Sequence, residues 1–257
     1  MHKLTLHRRM ASRFAQFASR RLSTFASAAG VEIRNVYCIG RNYAAHAREL
    51  NNPVPTEEPV IFLKSSTSVR PDAFVEAPSA SNSAFASGPL AHEHETFSYE
   101  AELVLLIGEH LPLGALADAD AAAAVKAVTA VGLGLDLTRR GKQSELKKAG
   151  LPWTLSKSFA GAALLTPFTE NDGSFSLDDI EFELAVNGDL RQRGHVNQMI
   201  FDIPFMLRFL NNCAPLVPGD LLFTGTPEGV GPISRGDHCR LKFVGGPTAT
   251  PSYVGLV

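Results

Sequence analysis

Polar and apolar residues alternate through Tyr99-Glu100-Ala101-Glu102-Leu103 and then give way to the apolar run Val104-Leu105-Leu106-Ile107, which predicts a β-strand with two carboxylates at its mouth. Val31 to Ile39 reads as a short strand, after which Gly40-Arg41-Asn42 turns into a helical stretch from Tyr43 to Leu50. Pro53, Pro55 and Pro59 break the chain before a second apolar strand, Val60 to Lys64. Residues 76 to 98, rich in Ser, Ala, Pro and His, read as a long loop. The alanine-dense stretch Ala117 to Val131 predicts a helix that Gly132 and Gly134 end, and a charged helical or loop segment runs from Arg139 to Lys148. Asn187-Gly188, between Phe182–Val186 and Leu190–Gln192, is a strong hairpin signal. Met199, Ile200, Ile203, Met206, Leu207 and Leu210 recur at helical spacing and read as core. Many short strands with only three or four helices predict an α+β, mainly β domain whose mixed sheet curls on itself. The regular alternation of strands and long helices of a Rossmann or barrel fold is missing.

Composition narrows the class. The 257 residues, 45% of them apolar, suffice for one large domain, and no apolar run approaches the roughly 20 residues needed to cross a bilayer. A formal charge of −2 gives no footprint for nucleic acid. Cys38, Cys213 and Cys239 lack metal-type spacing, and their odd number suits a reducing compartment. Residues 1–30 stand apart, with Lys3, Arg8, Arg9, Arg13, Arg20 and Arg21, several serines and no acid. That is the make-up of a mitochondrial transit peptide, which predicts delivery to the matrix and a catalytic domain over residues 31–257. Beyond residue 30 the balance is 18 basic against 26 acidic residues.

Side chains at i and i+2 of a strand share a face, so Glu100 and Glu102 can converge, and Asp136 in Leu135-Asp136-Leu137-Thr138 is a third candidate. Three carboxylates make an oxygen-ligand site for a hard divalent cation. The plainer alternative is an edge strand with both glutamates in solvent. His46 and Glu49, three apart on one helix face, make a ready general-base pair in which the carboxylate fixes the imidazole tautomer, although an exposed His and Glu on a surface helix would look the same. Lys157 could neutralise a substrate carboxylate or a developing enolate, although a lysine flanked by serines, Ser156 and Ser158, is by default a surface residue. The loop 224–231, with three glycines and a proline, brings backbone amides close to a partner but lacks Walker A spacing, so no nucleotide site is expected. His92-Glu93-His94-Glu95 is a weak zinc candidate with no further ligand set in view.

Several segments together resemble the fumarylacetoacetate hydrolase superfamily, most closely its small branch of acylpyruvases and oxaloacetate decarboxylases. They are Gly40-Arg41-Asn42-Tyr43-Ala44-Ala45-His46, Phe62-Leu63-Lys64, Tyr99 to Leu103, Leu135 to Thr138, Leu151 to Phe159, Val186-Asn187-Gly188 and Gly219 through Gly231, in the family's order over residues 31 to about 245. The resemblance implies a mixed β-roll and a homodimer. It implies Mg²⁺ or Mn²⁺ on Glu100, Glu102 and Asp136, His46 with Glu49 on a lid helix, Lys157 as an active-site lysine, and Arg41, Arg140, Gln143 and Thr226 as substrate contacts. The substrate it implies is a small 2-oxo acid: an acylpyruvate cleaved to pyruvate and a carboxylic acid, with oxaloacetate decarboxylation alongside. Isomerases and decarboxylases of longer dicarboxylates are the alternative within the family. A metal-stabilised scaffold would keep the carboxylates without needing the His46–Glu49 pair. The chain departs from the family pattern at Ser65, where proline is usual, at Gly141, where an acid is usual, and in a diverged loop 76–98. Gly141 bears most directly on Arg140 and Gln143.

Overall fold

The computed structural model describes residues 31–70, 97–234, 236–248 and, for backbone alone, 252–255. The expected transit peptide, most of the 76–98 loop and its His92–Glu95 cluster lie outside the described residues.

In chain order the strands are β1 (Val36–Gly40), β2 (Val60–Lys64), β3 (Val69–Arg70), β4 (Phe97–Tyr99), β5 (Ala101–Ile107), β6 (Val128–Asp136), β7 (Thr138–Arg139), β8 (Ala163–Leu165), β9 (Thr169–Glu170), β10 (Glu181–Val186), β11 (Asp189–His195), β12 (Leu221–Phe223), β13 (Gly231–Ile233), β14 (His238–Gly245) and β15 (Ser252–Gly255). Among the described residues five α-helices intervene: α1 (Ala44–Glu49), α2 (Ala121–Val125), α3 (Arg140–Ala149), α4 (Thr154–Lys157) and α5 (Ile203–Cys213). The main sheet runs β2-β1-β12-β5-β6-β8-β3, with β9 also on β6, and is mixed because β1 runs parallel to β12 and β3 to β8. A second sheet runs β11-β10-β14-β15 and a third β13-β4-β7.

Burial shows that the main sheet is rolled. Val36, Cys38, Val69, Val104, Leu106, Ala130, Ala163, Leu165, Leu221 and Phe223 all come from its strands and pack on one another, with Phe62 of β2 at their side. The curl is direct: Lys64 of the edge strand β2 pairs with Asp136 of β6, with three strands between them in the sheet order, and donates to Ala162 O beside β8, so this face closes on itself. The opposite face carries Leu103, Leu105, Ile107 and Leu133, which pack with Phe182, Leu184 and Leu241 of the second sheet and with Met206, Leu207 and Leu210 of α5. The expected mainly β, curled mixed sheet is therefore the fold.

Three element boundaries differ from expectation, and the first is the strand expected over Val31–Ile39, which begins only at Val36. The helix predicted over 117–131 is confined to Ala121–Val125, capped where the Asp120 carboxylate accepts from Ala123 N at 2.7 Å. Val128 to Val131 instead pair with β5, and Gly132 and Gly134 lie inside β6. Alanine propensity amounts to tenths of a kcal/mol per residue, and cross-strand burial of valine outweighs it. Met199 and Ile200 precede α5, whose periodic residues begin at Ile203. The Asn187-Gly188 hairpin forms as expected, both residues at positive φ, 52° and 89°, in the turn between β10 and β11.

Candidate active site

The register of β5 on β6 builds the acidic floor. Ala101 pairs with Leu135 and Glu102 with Gly134, so Glu100 falls opposite Asp136, whose N–H donates to the Glu100 carbonyl at 2.8 Å. By the two-residue period, Glu100, Glu102 and Asp136 share one face, the inner face that carries Val104. One oxygen from each carboxylate lies within 4.8 Å of the others, and the three residues are 6%, 2% and 0% exposed. The solvent-facing alternative is thus excluded.

Three cations answer these three anions. Lys157 Nζ donates to Glu100 Oε2 at 2.6 Å, Asp136 Oδ2 at 2.7 Å and Thr138 Oγ1 at 2.6 Å, which uses all three of its protons. Arg140 donates to Glu100 Oε1 at 2.7 Å and to Gln143 Oε1 at 2.9 Å. Lys64, a residue given no role from sequence, pairs with Asp136 Oδ1 at 2.6 Å and donates to the carbonyls of Ala162, at 2.9 Å, and of Lys157. Burial would raise the Glu100 pKa, but Lys157 and Arg140 outweigh it and hold the carboxyl well below the usual range. The Lys157 ammonium is likewise kept charged, its desolvation overcome by Asp136 and Glu100.

Glu102 is the exception. Among the described residues its carboxylate accepts one hydrogen bond, from Gly225 N to Oε2 at 2.6 Å, and burial, then the charges of Asp136 and Glu100, push its pKa well up. A buried carboxylate without a cation, beside two others, is the environment a divalent ion relieves, and an all-oxygen set suits Mg²⁺ or Mn²⁺. Glu100, Glu102 and Asp136 therefore fit such an ion.

Above the floor, α1 carries the dyad. His46 Nδ1 lies 3.5 Å from Glu49 Oε2, and His46 is buried while Glu49 is partly exposed. Burial lowers the His46 pKa against the opposing pull of Glu100 and Glu49, which favours a neutral ring able to accept a proton. The glycine loop does bind anions through its backbone, but they are the protein's own. Gly225 N holds Glu102, and Gly229 N donates to Glu49 at 3.1 Å. Gly225 has φ 101°, and a Cβ there would stand 2.6 Å from Asn42 Cβ; Gly229 has φ 94°, with Arg191 O only 2.1 Å from where its Cβ would be. Neither place admits a side chain.

One cleft is lined by Arg41, His46, Glu100, Glu102, Arg140, Gln143 and Thr226, with Phe62 and Trp153 as aromatic wall. Asp136 and Lys157 are bonded to or beside Glu100, and Glu49 to His46, so all ten residues singled out from sequence converge. Gly141 does not disturb Arg140 or Gln143. Its position in the first turn of α3 is open, with nothing within 4 Å of an added Cβ. Ser65 has a proline-compatible φ of −65°, and its N–H donates to Ser158 Oγ at 2.8 Å, a bond proline cannot make. Sequence reasoning missed Lys64, Gln192 and Lys147. Gln192 of β11 accepts from Ala101 N at 2.9 Å and donates to Thr226 Oγ1 at 2.8 Å, joining the second sheet to the cleft. Lys147 lines the cleft and is four residues beyond Gln143 on the same helix, a spacing that a reading of the helix face would have caught.

Residues 35–251 match the family described as fumarylacetoacetate (FAA) hydrolase C-terminal, and the chain belongs to that family. It is an enzyme of that family's single-domain branch. The chain is 36% identical over 208 residues, 80% of its length and 86% of the relative's, to the mitochondrial oxaloacetate tautomerase FAHD1 of Bos taurus. It is 35% identical over 214 residues, 82% of its length and 89% of the relative's, to the mitochondrial oxaloacetate decarboxylase of Dictyostelium discoideum. Among solved structures, fumarylpyruvate hydrolase from Pseudomonas aeruginosa, in complex with Mn²⁺ and pyruvate, superposes with a TM-score of 0.72 at 32% identity, covering 89% of this chain and 91% of that one.

Proposed function

We propose that the protein acts on small 2-oxo acids through their enolates, with oxaloacetate its foremost substrate and Mg²⁺ or Mn²⁺ as its ion. The observation that carries this reading is the meeting, in one cleft, of a buried three-carboxylate floor and the His46–Glu49 pair. The names of the relatives, oxaloacetate tautomerase and decarboxylase, support the substrate.

Glu100, Glu102 and Asp136 would hold the ion, which would supply Lewis-acid stabilisation of enolate charge. The chain's own residues do the rest. Arg140, Gln143 and Thr226 orient the substrate, and Lys157 and Lys64 keep the floor from repelling an anion. His46, held neutral by burial and oriented by Glu49, takes a proton from C3 of oxaloacetate; return of a proton to the C2 oxygen completes the keto-to-enol conversion. Loss of CO₂ from C4 gives an enolate without any base. Acylpyruvate hydrolysis is the second reading, favoured by the same dyad: His46 then takes a proton from the water that adds to C4, the C3–C4 bond breaks to leave the C4 fragment as a carboxylic acid and the pyruvate enolate, and a proton returned to C3 gives pyruvate.

The test is one set of assays with Mg²⁺ or Mn²⁺ and with EDTA: enol absorbance for tautomerisation, pyruvate release from oxaloacetate, and loss of acetylpyruvate. His46→Ala is expected to cut tautomerisation and acetylpyruvate hydrolysis by about 10²–10⁴ while decarboxylation falls far less. Equal loss of all three would overturn that division of labour, and no turnover by the wild type would overturn the function. The basic, acid-free residues 1–30, with relatives named mitochondrial, support import into the mitochondrial matrix; diffuse cytosolic signal from a 1–30 reporter fusion would refute it. The exposed Leu63 and Leu151, which flank one groove, support a homodimer, and a monomer mass by light scattering would count against it.

A further inference from the structure

Five cations stand at or around the cleft, and they fall into two kinds. Lys64, Lys157 and Arg140 are each bonded to Asp136 or Glu100. Arg41 and Lys147 also line the cleft, yet neither has a carboxylate partner among the described residues. Arg41 is held in the left-handed region, φ 60°, uncommon for a residue with a side chain, and its buried Nε lacks a hydrogen-bond partner. Asn42 fixes that conformation from the next position, its amide bonded to Phe201 O at 3.0 Å and Thr224 O at 2.8 Å. Lys147 lies on the α3 face shared with Arg140 and Gln143, its Nζ 5.1 Å from the centre of the Trp153 ring. Burial, then the charges of Arg41 and Arg140, lower the Lys147 pKa, so these cations sense one another across the cleft.

We infer that Arg41 and Lys147 form a distal carboxylate subsite that selects dicarboxylic 2-oxo acids over monocarboxylic ones of the same shape. This deepens the function proposed above and rests on it. The charges agree. The floor's three carboxylates are matched by Lys64, Lys157 and Arg140, so a divalent ion leaves two positive charges, and Arg41 and Lys147 add two more. A dianion such as oxaloacetate, with one carboxylate at the acidic floor's ion and the other at Arg41 and Lys147, relieves both ends, whereas a monoanion leaves the second wall unanswered.

Trp153 is the chain's single tryptophan and touches this wall, so its fluorescence reports binding there. The experiment is rapid mixing of the full chain and Mg²⁺ with oxaloacetate or with 4-methyl-2-oxopentanoate, which carries an isopropyl group in place of the distal carboxylate; amplitudes are read before turnover. The wild type is expected to bind oxaloacetate at least about tenfold more tightly, and Lys147→Gln to lose about tenfold for oxaloacetate while the isostere stays within about twofold. Lys147→Arg should restore the preference, which a merely structural lysine would not require. Equal weakening for both acids, or no change for either, overturns the subsite. Discrimination in binding without turnover of oxaloacetate would sink the proposed activity and leave the subsite standing, and failure of the wild type to bind either acid overturns both.

Discussion

Lys64 answers Asp136 on the side that Lys157 leaves open. It is fully buried, and among the described residues no other ammonium pairs with Asp136 Oδ1. Lys64→Met leaves Asp136 a buried charge with one partner fewer, and a loss of about 3–5 kcal/mol in urea unfolding is expected. A variant as stable as the wild type would show that Lys157 alone suffices. The cysteines give a second check. Burial raises the thiol pKa of Cys38, and burial with Asp237 pushes Cys239 up to about 12, whereas Cys213 is exposed. Ellman's reagent should titrate one thiol in the native protein and three in denaturant; more than one fast thiol in the native protein would contradict this burial. The dyad and the paired glutamates were legible because each pair is local, set by helix or strand period. Lys64 was not, because it ends an apolar strand and its partner lies far along the chain, brought to it only by the curl of the sheet.

Elements obey their own rules. Helix α3 begins with Arg140 and Gly141, with no acid in its first turn, while Lys147 and Lys148 suit its C-terminal end. Since nothing crowds Gly141, Gly141→Ala should stabilise the protein by about 0.5–1 kcal/mol, read as a rise in melting temperature, with the cleft unchanged. A fall would mean that the first turn needs a glycine. Gly225→Ala should do the reverse, since its φ and the closeness of Asn42 both forbid a Cβ, and Mn²⁺ affinity measured by calorimetry should weaken as Glu102 is displaced. At this scale the strand β5, the start of α1 and the 187–188 hairpin were legible from period and turn chemistry. The alanine-rich segment was not, because its fate is decided by a partner strand, not by its own composition.

For the whole molecule, the curled mixed sheet follows from many short apolar strands and few helices, yet how its strands are ordered is invisible in any one of them. The parallel pairing of β1 with β12 brings the Arg41 turn beside the glycine loop, a contact no local pattern announces. An ion at the floor binds only the folded chain, so Mn²⁺ at a hundred times its Kd should raise the unfolding free energy by about 2.7 kcal/mol. EDTA should abolish the gain, and so should Glu102→Ala; a wild type indifferent to Mn²⁺ would deny the floor its ion.

The two amides of Gly225 and Gly229 grip Glu102 and Glu49, one at the floor and one on the roof. A single short loop thereby couples the spacing of both halves of the chemistry. Insertions or deletions between those glycines cannot retune one half alone, so a change of substrate preference in such a cleft falls to side chains that hold neither carboxylate, such as Lys147 on α3, which can be exchanged with the catalytic geometry left as it was.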